Sequence, residues 1–342
     1  MLQGLLISGN SSIKVTIPIM YKTLTVILAC VAILTIFGFL GQVWWVFDLA
    51  SHFRFQYFIV LVVLVIFFIK EKKWKSTGVG LFFGVANFIL ISPYIGIISS
   101  VTEEDQSEIR IISMNLSHTN SSYKKAKLFI RETQPSVLIL QELSNSWENA
   151  LGETLAKFPY SVKFPENLMN DLGFPLPNVL IPKEKLFIGF FSHLPFEKFT
   201  RDQSDDFPIS YIRGRFKFKE NIFTLFGVHL ASPVGKYRTD LRNNQLASLA
   251  EEVQKNNQPT VVIGDFNITP WSPHFEKFIQ KTRLRDTRKG LGFYPTWQAQ
   301  FPPLAIPIDH GLTSNGIKFS SFSLGSSFGS DHLPIILDFS IG

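Results

Sequence analysis

The sequence predicts an α+β fold: a two-sheet β-sandwich flanked by helices and preceded by an all-α transmembrane region of three helices. Hydrophobic residues make up 46% of the 342 residues, and the longest apolar runs lie in the first hundred. After residue 110, short apolar runs alternate with polar turns, which is typical of strands. Several neighbouring runs are joined by short turns, as expected for antiparallel strands in two sheets that pack face to face.

Residues 1–100 contain three apolar segments, at 23–47, 52–70 and 76–98, which we interpret as a membrane anchor. The first and third carry no charged residue and reach the length of about 20 residues that spans a bilayer. The middle segment has a shorter apolar stretch between two basic residues, which would have to extend toward the headgroups. For this segment, a re-entrant or interfacial helix is the alternative to a full span.

Charge in the loops predicts the orientation of the anchor. The loop 70–75 contains four lysines and one glutamate. Because loops rich in lysine and arginine stay in the cytoplasm, three spans place the chain after residue 101 on the opposite side. The sequence thus predicts a multi-pass protein of the cytoplasmic (inner) membrane, held in the lipid bilayer by its N-terminal helices. Residues 101–109 form a polar linker, and 110–342 form a large extracytoplasmic domain.

The large domain is nearly neutral. The whole chain has a net charge of +6, but residues 1–102 hold seven Lys and Arg against two Asp and Glu. The remainder holds 26 basic against 25 acidic residues, so it has no strong bulk attraction to nucleic acid. The single cysteine, Cys30, lies in the first apolar segment, so no disulfide forms within the large domain. Although the bulk charge does not favour nucleic acid, a local basic patch could still bind it. The candidate residues for such a patch are Lys183, Lys185, Arg201, Arg213, Arg215, Lys217 and Lys219.

Strand and helix patterns follow one another along the large domain. The predicted strands are the segments IRIISMNLS, PSVLILQEL, LFIGFFSHLP, TVVIGDFNI and LPIILDFS, together with a hairpin formed by ISYIRGRFKFKENIFTLFGVHL. Helical periodicity predicts helices over 124–132 and 236–255. Because strands are in the majority, we expect the helices on the outside of the sandwich.

Polar side chains stand where these apolar runs begin or end. Ordinary loops use Ser, Gly, Lys and Thr as freely, whereas these positions carry Asp, Glu, Asn, Gln and His. Strands that lie side by side would bring such residues to one rim of the sandwich. The residues are Asn115, Gln141, Glu142, His229, Asp265, Asn267, Asp309, His310, Asp331 and His332.

A rim of this composition predicts a divalent metal site. Clustered carboxylates repel one another unless a cation lies among them. Oxygen ligands without a thiolate favour Mg²⁺ or Mn²⁺ as the cofactor. A metal beside histidines is typical of enzymes that hydrolyse phosphoesters.

The motifs ILQEL, GVHL, GDFNITPWS, IDHGLTS and GSDHLPI, in this order, resemble the endonuclease/exonuclease/phosphatase superfamily. This superfamily includes pancreatic deoxyribonuclease, abasic-site endonucleases, inositol polyphosphate 5-phosphatases and neutral sphingomyelinases. The resemblance extends from about Arg110 to the C-terminus and implies a deoxyribonuclease-I-like catalytic domain over 110–342. The N-terminal anchor is similar to that of bacterial membrane members of the family.

The resemblance implies a role for each acidic or amide residue near the metal. Glu142 corresponds to the principal metal ligand, Asn115 to the amide beside the metal, and Asp331 to the acid near a second metal position. Arg242 fits an R..QL pattern of the membrane members, in which it either binds the substrate phosphate or faces solvent.

The resemblance also implies the catalytic residues. Asp265 corresponds to the acid that orients or deprotonates the attacking water, and Asn267 to the amide that holds the phosphate. His332 corresponds to the histidine that stabilises the transition state, and Asp309 to the acid that orients it. His229 corresponds to the histidine at the phosphate or leaving group. Because Asp265 and Asn267 are two residues apart, we expect them on one face of a strand.

Residues outside this set are interpreted as structural or surface residues. They are His52, His118, His193, His274 and His310, with Trp271 and Trp297 as packing or site-wall residues and Lys236, Tyr237 and Arg238 as the solvated start of a helix. The Pro-, Leu- and Phe-rich segment 164–187 is interpreted as a lid or as a loop resting on the membrane. The tyrosine that contacts phosphate in nucleases of the family has no confident counterpart.

The sequence therefore predicts a membrane-anchored, divalent-metal-dependent phosphoesterase (phosphodiester hydrolase) that acts by metal-assisted in-line attack of water on phosphorus. The expected partners are a phosphoester substrate, either a phospholipid headgroup or a nucleic acid, and the lipid bilayer; no protein partner is indicated. Two alternatives stay open: a membrane-tethered nuclease acting on DNA or RNA, and a non-catalytic binding module on the same scaffold.

Overall fold

A computed structural model describes residues 10–96, 108–166, 182, 184–201, 210–298 and 300–342. Two predicted features lie largely outside these residues. They are the linker, predicted at 101–109, and most of the segment 164–187, which was predicted to be a lid or a membrane-resting loop.

Four helices form the N-terminal region: α1 (Asn10–Phe39), α2 (Trp45–Ser51), α3 (Arg54–Lys70) and α4 (Trp74–Ile91). By length and composition, Met20–Phe39 and Trp74–Tyr94 are long and apolar enough to cross a membrane. Helices α2 and α3 are bent by 62° relative to each other and provide a third span only if the pair counts as one. The described part of the chain thus contains two or three candidate spans.

The structure corrects the predicted boundaries of the first apolar segment. A continuous helix over 23–47 was expected, but α1 ends at Phe39 and α2 begins at Trp45. In the intervening turn, a Cβ on Gly41 would lie only 3.1 Å from the Cα of Asp48. Hydropathy does not report this close approach of two backbones, so it predicts one long helix where the chain turns.

The large domain is a sandwich of two six-stranded sheets, as predicted. The first, in the order β11-β12-β1-β2-β4-β3, contains β1 (Ile109–Asn115), β2 (Val137–Leu143), β3 (Tyr160–Pro165), β4 (Phe187–Ser192), β11 (Ile317–Leu324) and β12 (Ile335–Ile341). The second, in the order β5-β6-β7-β8-β10-β9, contains β5 (Phe196–Arg201), β6 (Tyr211–Phe218), β7 (Asn221–His229), β8 (Thr260–Asp265), β9 (Arg285–Asp286) and β10 (Asp309–Thr313).

Helices cover both outer faces of the sandwich. They are α5 (Tyr123–Thr133) and α6 (Asn145–Leu155) on the first sheet, and α7 (Lys236–Lys255) and α8 (Pro273–Thr282) on the second. Phe129 and Trp147 anchor the first pair of helices, and Leu249 and Phe275 anchor the second. Between the sheets lies a core of aliphatic and aromatic side chains that includes Phe190. Burying one such side chain contributes about 1.5–3 kcal/mol.

Strand direction brings the predicted polar residues to one rim. Strands β1 and β2 are parallel, and so are β7 and β8, in which His229 lies opposite Asp265. Parallel neighbours end at the same edge of a sheet, so the polar residues that end them are close together. Strand β10 is antiparallel to β8 and begins at this edge, which sets Asp309 opposite Asp265.

Gly264 permits the close approach of β7 and β8 just before this rim. Its φ is 144°, and a Cβ at this position would lie 2.1 Å from the carbonyl oxygen of Val228. Any other residue would therefore force the two strands apart beside the polar cluster. The glycine of the GDFN motif thus has a packing role that is separate from the chemistry of its neighbours.

The N-terminal helices dock on the large domain through a buried ion pair. Arg242 of α7 and Asp48 of α2 form this pair, and both side chains are fully buried. The hydroxyl of Ser272 donates to the other carboxylate oxygen of Asp48 at 2.7 Å. The indole N–H of Trp271 donates to the carbonyl oxygen of His52 at 3.2 Å. Trp271 is therefore a packing residue of this interface, within its interpretation as a packing or site-wall residue.

Replacing Asp48 with alanine should strongly destabilise the protein, because Arg242 would remain buried without its carboxylate. We expect the free energy of unfolding to fall by about 3–5 kcal/mol. Replacing both partners with apolar residues, Asp48→Leu with Arg242→Met, should recover most of this loss. Guanidinium denaturation of the full chain in detergent, followed by tryptophan fluorescence, measures both effects.

Lys236→Ala is the matched control, since it removes one partner of an exposed ion pair with Asp240. An exposed pair of this kind contributes roughly 0.2–1 kcal/mol. If Asp48→Ala were no more destabilising than Lys236→Ala, the buried pair would not hold the two parts together.

Candidate active site

The strand ends surround a cavity of about 410 Å³ at the rim of the sandwich. Asp309 lies next to this cavity, hydrogen-bonded to His332, whereas Arg242 does not line it. The other seven predicted site residues all line it: Asn115, Glu142, His229, Asp265, Asn267, Asp331 and His332. The structure thus brings together eight of the nine residues chosen from the sequence.

Glu142 is an anion held by a histidine that was predicted to be structural. It has a left-handed backbone (φ 53°) at the irregularity that ends β2. The backbone N–H of His118 donates to Oε2 at 2.8 Å, and Nδ1 of the same residue lies 2.9 Å from that oxygen. Burial alone would raise the pKa of Glu142, but His118 and the charge of His229 lower it to about 2. His118 therefore belongs to the site.

Asp265 lies at the centre of the cluster. Nδ2 of Asn115 donates to its Oδ2 at 3.1 Å, a bond that joins the two sheets. Nε2 of His229 and Nε2 of His332 lie 3.8 and 3.7 Å from the same oxygen. Burial and the negative charge of Asp309 raise the pKa of Asp265, against the opposing effect of the histidines. A carboxylate with a raised pKa is a stronger base toward water.

His332 is held as a cation. Its Nδ1 lies 2.9 Å from Oδ2 of Asp309, and both side chains are buried. Burial alone would lower the pKa of His332, but Asp309 and Asp265 raise it to about 10. At neutral pH the imidazolium can therefore stabilise negative charge that develops beside Asp265.

Glu166 is a functional residue that the sequence analysis missed. Its side chain is fully buried, and Oε1 lies 3.1 Å from Nδ1 of His229. Burial alone would lower the pKa of His229, but Glu166, Asp265 and Glu142 raise it to about 9. Glu166 lies in the segment 164–187 and belongs to no motif there, so only its contact with His229 identifies it.

Asn267 meets Asp265 through a turn and not along a strand. Strand β8 ends at Asp265, and Asn267 follows with a left-handed backbone (φ 50°). Its backbone N–H donates to Oδ1 of Asp265 at 2.8 Å, and its Nδ2 donates to the carbonyl oxygen of Leu230 at 2.9 Å. The expectation of a shared strand face was wrong, although the two side chains do lie together, with Nδ2 3.2 Å from Oδ2 of Asp265.

Arg242 does not have the position that substrate binding requires. It is fully buried, pairs with Asp48 and donates through Nη1 to the carbonyl oxygen of Asn267 at 3.1 Å. The predicted role of Arg242 in substrate binding was therefore wrong. Its guanidinium instead holds the turn at Asn267 against α2. Arg238, predicted on a solvated surface, is 7% exposed and lines the cavity.

His310 lies outside the cavity, in agreement with its structural interpretation. It is fully buried, its Nε2 lies 2.7 Å from the carbonyl oxygen of Ile268, and its ring stacks on Phe275. Burial and the charge of Arg288 lower its pKa well below the usual range. His310 is therefore a neutral packing residue.

The donors around the cavity suit a hard divalent cation. Glu142, Asp331 and the amide of Asn115 line one cavity, and no cysteine lies among its described lining residues. Such an oxygen-rich set fits Mg²⁺ or Mn²⁺. Asp331 also accepts a hydrogen bond from Nε1 of Trp297 at 3.1 Å, which orients its carboxylate and makes Trp297 a wall residue.

Asp265, Asp309 and His332 form a second group that could hold an ion, with ligand atoms within 4.8 Å of one another. Here the shortest contact is the bond between Asp309 and His332, which uses Nδ1 of the imidazole. This bond makes Asp309 and His332 an acid–histidine pair that lies beside the carboxylate of Asp265. Glu142, Asn115 and Asp331, which line the same cavity, form the alternative set of donors.

The N-terminal helices form one side of the cavity. Leu49 of α2 and the junction residues His52 and Phe53 lie in its wall. Val234 and Ile306 of the large domain are among the other apolar residues of the wall. His52 was interpreted as structural or surface, but it is a wall residue of the site. No local sequence pattern connects residues that are so far apart in the chain.

Comparison with known proteins identifies a family and a fold for the large domain. Residues 112–332 match the model of the Endonuclease/Exonuclease/phosphatase family. The structure of an endonuclease/exonuclease/phosphatase from Beutenbergia cavernae is 16% identical, with a TM-score of 0.53 over 69% of this chain and 72% of that one. The human Nocturnin catalytic domain is 19% identical, with a TM-score of 0.53 over 68% and 94% of the two chains. Humanized TDP2 of D. rerio is 15% identical, with a TM-score of 0.52 over 69% and 100%.

At these identities the solved structures establish the fold, which is deoxyribonuclease-I-like as predicted. No curated protein matches the chain. The family model covers more than half of the chain and includes every predicted site residue from Asn115 to His332. Members of this family are metal-dependent hydrolases of phosphoester bonds. The chain belongs to the endonuclease/exonuclease/phosphatase family.

Proposed function

We propose that the protein is a membrane-anchored, divalent-metal-dependent phosphoesterase that hydrolyses a phosphodiester by in-line attack of water on phosphorus. The observation that carries this proposal is the buried carboxylate of Asp265 between His229 and His332. Each histidine also lies beside a second carboxylate that keeps it positively charged: Glu166 for His229 and Asp309 for His332. Attack of water on an anionic phosphoester requires a base that accepts a proton and positive charge that stabilises the transition state. Asp265 and the two histidines provide these groups.

The proposed reaction uses these groups in sequence. Water attacks phosphorus and transfers a proton to Asp265, while the new P–O bond forms. The opposite P–O bond breaks, and the leaving alkoxide takes a proton from His229. Asp265 then returns its proton to His229, whose Nε2 lies 3.8 Å away, so the site regains its starting state. His332 stabilises the charge on phosphorus, and Asn267 orients Asp265.

The cofactor in this proposal is Mg²⁺ or Mn²⁺, held by Glu142, Asn115 and Asp331. When bound, it supplies Lewis-acid polarisation of a phosphoryl oxygen. The low pKa of Glu142 supports this assignment, because the carboxylate remains an anion throughout the ordinary pH range. The family membership supports a divalent metal in general terms.

The proposed location is a membrane, with the catalytic domain outside the cytoplasm. The large domain contacts α2 and the C-terminal end of α4, where the backbone N–H of Gly290 donates to the carbonyl oxygen of Pro93 at 2.7 Å. The lysine-rich loop 70–75 joins the opposite ends of α3 and α4. With three spans, the loop is cytoplasmic and the catalytic domain lies on the other side.

Asp265→Asn and His332→Ala should each lower the rate of hydrolysis by about 10²–10⁴-fold, since they remove the base and a cation that stabilises the transition state. The assay is the Mn²⁺- or Mg²⁺-dependent hydrolysis of bis-p-nitrophenyl phosphate by the full chain in detergent, with EDTA as the metal-free reference. His193→Ala, at an exposed position outside the cavity, should keep the parental rate. Parental rates in both site variants would refute the catalytic roles.

Glu142→Gln should weaken Mn²⁺ binding by at least about tenfold, because even residues behind metal ligands contribute 10–100-fold. Electron paramagnetic resonance of free Mn²⁺ during titration measures this without any substrate. The matched control is Glu153→Gln, which changes an exposed carboxylate on α6. Equal affinity in the two variants would show that Glu142 does not hold the metal.

A further inference from the structure

The cavity is lined by two chemically different sets of side chains. One set is the charged residues around Asp265 and His332. The other set is the apolar side chains of Leu49, Phe53 and Val234, of which the first two come from the N-terminal helices. A substrate that fills the cavity therefore meets both a charged cluster and apolar wall residues.

The exposed apolar residues of the large domain concentrate near the same cavity. Among its described residues, six large hydrophobic side chains are exposed: Leu128, Tyr160, Val234, Tyr237, Phe301 and Leu304. Four of the six belong to the segments 232–238 and 297–306, and each segment also supplies cavity wall. We call these four side chains the apolar rim. Because both segments border the cavity, the apolar rim adds exposed apolar side chains beside its wall.

The apolar rim is tied to the membrane helices. Nε2 of Gln56 on α3 donates to the carbonyl oxygen of Ala305 at 3.0 Å. Phe55 on the same helix stacks on Phe293, with ring centroids 4.1 Å apart. If α3 enters a bilayer, these contacts hold the rim where the large domain meets the lipid headgroups.

Among the described residues that line the cavity, lysine and arginine are scarce, whereas a nucleic-acid site depends on them to contact phosphates. Among the described lining residues there is one arginine, Arg238, and no lysine. Three of the candidate basic residues on the large domain are paired with acids instead: Arg213 with Glu252, Arg215 with Glu197, and Lys219 with Glu108. These pairs compensate the charge of three of the seven basic residues that the sequence left open as a nucleic-acid surface.

His52 adds a polar group to the cavity wall. It is 4% exposed, and its Nδ1 lies 3.0 Å from Oγ1 of Thr269. Its Nε2 is buried and has no hydrogen-bond partner among the described residues. A buried ring nitrogen without a partner is costly, so it is suited to meet a polar group of a ligand.

We propose that the substrate is a glycerophospholipid of the surrounding bilayer, which enters the cavity from the membrane side. Its phosphate lies at Asp265 and His332, its glycerol and acyl part lies along Leu49 and Val234, and His52 contacts its polar portion. This inference rests on the phosphoesterase activity proposed above and names the class of substrate for that activity.

The test uses the full chain in nanodiscs of equimolar phosphatidylethanolamine, phosphatidylglycerol and phosphatidylcholine with Mn²⁺. Phosphorus NMR detects any cleaved headgroup. Bis-p-nitrophenyl phosphate, DNA and RNA oligonucleotides are assayed in parallel. We expect phospholipid cleavage with a kcat/KM that exceeds the value for either oligonucleotide by about 100-fold or more, a difference of about 2.7 kcal/mol.

Two other results would overturn the lipid assignment, and they are distinguishable. Hydrolysis of the aryl ester without lipid cleavage, or a preference for an oligonucleotide, would leave a phosphoesterase whose substrate is not a bilayer lipid. Absence of hydrolysis for every substrate, with Mn²⁺ bound, would defeat the proposed function itself and this inference with it.

A pair of variants tests the apolar wall directly. Val234→Asp and Leu128→Asp each place a carboxylate at a similarly exposed apolar position, 48% and 43% exposed, but only Val234 lines the cavity. Val234→Asp should lower the ratio of lipid to aryl-ester turnover by at least about tenfold, because an acyl chain would desolvate the new charge. Leu128→Asp should leave this ratio unchanged. Equal ratios in the two variants would contradict the proposed binding mode.

Discussion

The buried ion pair between Asp48 and Arg242 fixes the N-terminal helices to the large domain, and the wall that these helices add to the site depends on it. Both side chains are fully buried, so neither can leave the other without exposing an unpaired charge to a low dielectric. Arg242 also donates to the carbonyl oxygen of Asn267. The contact that docks the helices therefore also fixes the turn after Asp265, and it brings Leu49 and Phe53 to the cavity wall.

Charge balance organises the site in a similar way. Asp265 lies in a position where burial and Asp309 disfavour its anion, while His229 and His332 favour it. Each histidine is kept positive by a carboxylate behind it, Glu166 or Asp309. These opposing effects hold a base within 4 Å of two cations. They also explain why several acids occur together at one rim, since Glu142, Glu166, Asp265 and Asp309 each have a histidine beside them.

Sequence patterns predicted the sandwich and most of the rim because both depend on local periodicity. Strands end at polar residues, and parallel neighbours bring those ends together, so Asp265 and Glu142 were identified correctly as neighbours of one cavity. Glu166 and His118 were missed because their roles arise only from contacts across the fold. The burial of Arg242 depends on a residue 194 positions away, and the contact of His52 with Thr269 spans 217 positions. No local motif records such distances.

Photo-crosslinking tests most directly whether the N-terminal helices complete a lipid-binding active site. The probe is a phosphonate analogue of a phospholipid that resists hydrolysis and carries a diazirine on its acyl chain, reconstituted with the full chain and Mn²⁺. We predict labelling of cavity residues such as Leu49 and Val234, in addition to outward-facing helix residues such as Phe82, and competition by unlabelled phosphonate only at the cavity. Labelling restricted to the outward faces of the helices would contradict this account.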